Sequence, residues 1–130
     1  MNILDEDIGQ SQCDLLVAQK IHFRKIGAGI GRFGMKDRED ILPLLHRLKH
    51  PTFFTLDHGF YHPALLHQKY CLVFLDVWDD EAAEHIRRFL RHPEFRTQTR
   101  RMGKVARVRH RSVSYWQIHI REERTLRWEP

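Results

Sequence analysis

Short apolar runs that stop at an acid recur along the chain. Ile3-Leu4 runs into Asp5-Glu6-Asp7, with Ile8 and Gly9 behind; 52–56 ends in Asp57; and 71–75 ends in Asp76. Runs of this length predict buried strands. Residues 21–26 alternate apolar and polar, which predicts a strand with one exposed face. Residues 104–109 and 113–120 alternate as well, predicting two strands joined around His110-Arg111-Ser112. Between these runs the spacing turns helical. Over 11–20, Ser11 and Asp14 make a capping arrangement and Leu15, Leu16 and Ala18 an apolar face. Asp37-Arg38-Glu39-Asp40 opens a second helix with Ile41, Leu44, Leu45 and Leu48 at helical spacing. Asp40 is its predicted N-cap, because Pro43 then falls at the third helical position, where a missing N–H does little harm. A short helix is expected over 64–69, and a longer one over 82–91 behind Asp79-Asp80-Glu81, with Ile86, Phe89 and Leu90 inward. Strands alternating with helices predict an α/β fold with a mostly parallel sheet. Strands running one way bring their carboxyl ends to one edge, so Asp5 and Asp57 are expected to meet there, with Asp76 at the same rim.

Length and charge sharpen this picture. A chain of 130 residues is one domain with one core's worth of apolar residues. No apolar run approaches the ~20 residues of a membrane span, and no secretory pattern opens the chain. Cys13 and Cys71 stand far apart, as free thiols of a reducing cytoplasm do. The net charge of +5 hides a split. Residues 1–84 hold 13 acids against 9 Lys/Arg, and residues 85–130 hold 4 acids against 13 Lys/Arg. The expected plan is therefore an acidic core over 1–84 and a basic C-terminal extension over 85–130. Lys104 is the only lysine of that extension. Arginine matches phosphate bidentately and stacks on bases. Arg100, Arg101, Lys104, Arg107 and Arg109, interleaved with Tyr115 and Trp116, suit single-stranded nucleic acid. The alternative is a solvated sheet face over aromatic core residues.

Three adjacent carboxylates repel one another. A hard divalent cation such as Mg²⁺ answers that repulsion, and so does plain solvent exposure. For Asp40 the choice lies between a helix cap and a metal ligand; for Asp79-Asp80-Glu81, capping suffices. The glycine-rich stretch 27–34 has the wrong spacing and place for a dinucleotide cradle and reads as a flap beside a substrate groove. His58, His62 and His67 lack companion cysteines, and Pro63 breaks the helix that a zinc pair would need.

The segments Ile3-Leu4-Asp5-Glu6-Asp7, Asp37-Arg38-Glu39-Asp40-Ile41-Leu42 and Phe54-Thr55-Leu56-Asp57-His58-Gly59-Phe60 resemble the three signatures of PIN-like domains. The match is to the small bacterial family that opens on a hydrophobic-Asp-Glu-Asn/Asp motif, and it covers roughly residues 1–78. The resemblance implies a three-layer α/β/α fold and a metal-dependent ribonuclease, of a superfamily in which many members are toxins of toxin–antitoxin pairs. By position, Asp5, Asp7, Asp40 (or Glu39) and Asp57 take the metal-ligand places, with Asp5, Asp40 and Asp57 catalytic and Mg²⁺ or Mn²⁺ the ion. It also implies RNA, an antitoxin protein and a second copy of the chain as partners. A PIN-like module that only binds RNA or protein is the alternative. Gly59 stands where a further Asp is frequent, and so does Arg38, so Asp76 or Asp37 would have to complete the set. The C-terminal basic hairpin lies outside these signatures.

Overall fold

Alternate residues of each apolar run feed two separate cores. Ile3, Phe53, Leu72 and Val105 join one, and their neighbours Leu4, Phe54, Val73 and Ala106 join the other. That is the signature of strands covered on both faces. The computed structural model describes residues 1–35 and 37–128, with the backbone alone of Asp37. The chain runs β1 (Asn2–Leu4), α1 (Gln10–Ala18), β2 (Arg24–Ile26), β3 (Gly29–Ile30), α2 (Asp37–Arg47), β4 (Thr52–Thr55) and β5 (Cys71–Leu75). It continues through α3 (Ala82–Arg91), α4 (Gln98–Arg101), β6 (Lys104–Val108), β7 (Ser112–Gln117) and β8 (Arg124–Arg127).

Among the described residues, eight strands form one sheet in the order β3-β2-β1-β4-β5-β6-β7-β8. Pairing is parallel from β3 to β6 and antiparallel for β6 with β7 and β7 with β8. The fold is thus α/β with a mostly parallel sheet. Within 85–128, β6, β7 and β8 continue that sheet, with β6 paired directly to β5. Helices α1 and α3 supply Cys13, Leu16, Ile86 and Phe89 to one core, and α2 supplies Ile41, Leu44 and Leu45 to the other. Strand order reverses between β1 and β4, and such a switch point opens a crevice beyond the strands' carboxyl ends.

Several expected elements differ. Helix α1 starts earlier, with Gly9 as N-cap and no side-chain cap, so Ser11 does not cap it. Its inward face is Gln12, Cys13 and Leu16, while Leu15 is exposed. Gln12 earns its buried place by accepting the Ala83 N–H at 2.9 Å. Helix α2 begins at Asp37, so Pro43 lies inside it and Asp40 is not its N-cap. Burial of Ile41, Leu44 and Leu45 along one stripe outweighs the N–H that the proline cannot donate. The helix expected over 64–69 is only a 3-10 turn, Pro63–Leu65. There His62 and His67 accept the N–H groups of Ala64 and Lys69 on their Nδ1 atoms, and the chain turns. The strand expected over 21–26 is confined to Arg24–Ile26, and between α3 and β6 the chain forms the short helix α4, capped by Thr97. No helix among the described residues is long and apolar enough to cross a membrane.

Candidate functional site

The chain leaves β1 with its ladder still running. The N–H of Asp5 donates to the Phe54 carbonyl at 2.9 Å, which sets Asp5 level with Thr55. Asp5 is only 7% exposed. Its Oδ2 accepts the Thr55 hydroxyl at 2.7 Å and its Oδ1 the Glu6 N–H at 2.8 Å. A tight turn, closed by the Ile8 N–H on the Asp5 carbonyl, swings Asp7 back toward β4. Asp7 Oδ2 accepts the Leu56 N–H at 3.1 Å and lies 3.3 Å from the Thr55 hydroxyl. The Thr55 Oγ1 also accepts the Asp57 N–H at 3.0 Å, and Asp57 Oδ1 in turn accepts from Gly59 N–H at 2.9 Å. One threonine therefore ties three acids from two segments about fifty residues apart.

The electrostatics follow from that packing. Burial is the largest cause holding the Asp5 carboxyl above its usual range; the Thr55 and Glu6 donors pull back, and the charges of Glu6 and Asp57 push further up. Asp7 is pushed up to about 7, first by burial and next by the charge of Asp5, with Asp57 adding to it. Among the described residues no Lys, Arg or His makes an ion pair with Asp5, Asp7 or Asp57. Thr55 has one hydroxyl hydrogen, and the shorter contact to Asp5 takes it, so Asp7 retains its negative charge least easily.

A stability signature is expected from Asp7. Its folded pKa lies above the unfolded value, so the folded chain holds this proton more tightly. The stability it contributes is complete below about pH 4 and is lost as pH rises through about 7. Asp7→Asn keeps an acceptor for the Leu56 N–H and removes the charge. It should raise unfolding stability at pH 8 by about 1 kcal/mol, an estimate discounted because Asp7 is more than a third open to water. The gain should shrink at pH 5 in urea titrations; a gain equal at both pH values would contradict the account.

The other expected residues are engaged elsewhere or by other partners. Asp40 pairs with Arg32 at 3.7 Å. The side chain of Asp37 lies outside the described residues. Asp76 follows β5 at the same rim as Asp5 and Asp57, as expected, but there it accepts from Arg107 at 2.6 Å and lies 3.7 Å from Arg109, so its charge is answered. Arg101 is buried and donates to the Thr52 hydroxyl and the Phe95 carbonyl. Lys104 is 4% exposed, pairs with Glu94 and sits over the Phe95 and Tyr115 rings. Both are corrections: these cations hold the fold together and do not line a solvent face. Tyr115 is buried as well. Arg100 and Arg109 are exposed and Arg107 is half-buried.

Two participants were not among the expected site residues. Thr55 is the hub of the cluster, signalled only by its place two residues before Asp57. Glu6 accepts the Gly34 N–H on both carboxylate oxygens, at 3.1 and 3.3 Å, and so seats the glycine-rich loop beside the acids. Among the described residues no three His, Cys, Asp or Glu side chains are grouped to hold one ion between them. No family model, curated protein or solved structure matches the chain.

Proposed function

We propose that this chain is a PIN-like endoribonuclease that depends on Mg²⁺ or Mn²⁺ and acts in the cytoplasm as the toxin of a toxin–antitoxin pair. The observation that carries the reading is the convergence of Asp5, Asp7 and Asp57 at the switch point, with no cation among the described residues to neutralise them. The donor set fits a hard divalent ion, because every candidate ligand is a carboxylate oxygen and Mg²⁺ needs only one or two carboxylates beside waters and substrate phosphate. Asp5 and Asp7 are the proposed ligands, and Asp57 deepens the negative field on both. When bound, such an ion supplies a water of lowered pKa and offsets charge on the scissile phosphate. Thr55 orients the Asp5 carboxylate, the Leu56 N–H fixes Asp7, and Glu6 keeps the glycine-rich loop against the site. RNA is the substrate class on this reading, an antitoxin protein the natural inhibitor, and a second copy of the chain a further partner.

A PIN-like module that binds RNA or protein without cleaving it is the second reading. Its specific support is Asp57, whose Oδ1 is spent on the Gly59 N–H as an ordinary turn cap. Incubation of single-stranded RNA with the protein and Mn²⁺ separates the two. Fragments that appear with Mn²⁺, stop with EDTA and resume with excess Mn²⁺ support the nuclease. Intact RNA under all three conditions defeats it.

A further inference from the structure

The opposite edge of the sheet carries the reverse chemistry. The segments that enter β4 and β5 and the short helix before β6 meet there, at the amino ends of parallel strands. A hollow of about 310 Å³ is lined by His46, Arg47, Leu48, Lys49, His50 and Lys69. A second, of about 200 Å³, shares His50 and adds Gln68, Gln98 and Thr99. No acid lines either one. Among the described residues no ion pair engages Arg47, Lys49 or Lys69.

The end of α2 explains part of this, because cations in a last turn complement the helix dipole. Arg47 is such a cation, with His46 beside it in the last turn. Lys69, Gln68, Gln98 and Thr99 come from other segments, and the dipole gives no reason for them. His50 adds to the case: it holds φ at 49°, a left-handed conformation that is strained for a side-chain-bearing residue and that glycine would adopt freely. The wall is built and not loose. The His46 and His67 rings meet edge to face at 4.4 Å, His67 stacks on Tyr70, and the Tyr70 hydroxyl donates to the Leu65 carbonyl at 2.6 Å.

We propose that this two-part trough binds a linear oligophosphate, with successive phosphates seated in the two hollows on either side of His50. The chemistry is that of consecutive phosphate groups, supplied by the backbone of single-stranded RNA or by a free polyphosphate chain. A lining without carboxylates, three cations with no ion pair among the described residues and a concave wall favour a multiply charged anion over a neutral ligand. The site stands apart from the acidic cluster, and its test does not depend on cleavage.

In EDTA, a fluorescein-labelled single-stranded RNA is titrated by anisotropy and sodium tripolyphosphate by calorimetry, with wild type and Lys49→Glu/Lys69→Glu. Both lysines are exposed, so an unchanged melting temperature is expected and certifies the variant's fold. The double variant should bind at least tenfold more weakly. If RNA is the source, the slope of log affinity against log salt should also fall by about 1.4, for two lost phosphate contacts. RNA binding lost in the variant assigns the trough to nucleic acid, and tripolyphosphate binding lost in the variant without RNA binding assigns it to free polyphosphate; either supports the proposal. Binding of neither probe, or binding that the double variant leaves unchanged, overturns it.

Discussion

Asp5→Asn is expected to lower Mn²⁺-dependent RNA cleavage by about 10²–10³-fold, which corresponds to the several kcal/mol that a correctly held ion contributes to a phosphoryl transition state. The substitution is mild for the fold. Asparagine keeps an oxygen for the Glu6 N–H, and its amide can donate to Thr55 Oγ1 while the freed hydroxyl turns toward Asp7 Oδ2, already 3.3 Å away. Removing a buried, poorly compensated charge also relieves repulsion on Asp7. The variant should therefore melt no lower than wild type while losing activity, a combination that structural damage does not produce. Retained activity in Asp5→Asn would remove Asp5 from the reaction.

The same residues show what the sequence could and could not disclose. The pairing of a short apolar run with a terminal acid was legible, because buried parallel strands have a length and composition of their own, and their common direction puts the acids on one edge. Register carried this to contact: Leu4 pairs with Phe54, so the next residues, Asp5 and Thr55, stand side by side. Asp40 was harder to place. Pro43 argued locally for a helix start that the apolar stripe of α2 overrode. The exposure of Lys104 was not legible either. Alternation along a strand reports exposure only where one face is open, and β6 is buried at four of its five positions. Arg101 shows the same limit from another side: its charge looked available for RNA, but a threonine hydroxyl and a carbonyl from other segments absorb it. The lining of the trough at the far edge comes from three segments, with its cations in two of them, 46–50 and Lys69, and only the fold brings these together.

Phe54→Ala should destabilise the protein by about 3–5 kcal/mol, the range for emptying a fully buried aromatic site. Phe54 has no exposed surface and meets Phe89 edge to face at 5.9 Å, while Phe89 stacks on Phe95 at 4.4 Å. The cavity would open between β4 and α3, in the core that α1 also feeds. For a domain of this length that loss corresponds to roughly 10–20 °C in melting temperature. The effect reaches the acids as well, because the Phe54 carbonyl receives the Asp5 N–H and the next residue is Thr55. Urea titration reads the stability directly; a cost below about 1 kcal/mol would mean that this core is not packed as described.

Calorimetric titration of Mn²⁺ into wild type, Asp5→Asn and Asp7→Asn at pH 7.5 puts the greatest strain on the whole reading. One ion should bind the wild type, with heats that change modestly with the buffer because the fraction of Asp7 still protonated just above its pKa of about 7 gives up its proton as the ion enters. Either substitution should weaken binding at least tenfold. If millimolar Mn²⁺ leaves the wild type unoccupied, or all three proteins take it up equally, then these carboxylates are turn and cap residues and the nuclease reading falls with them.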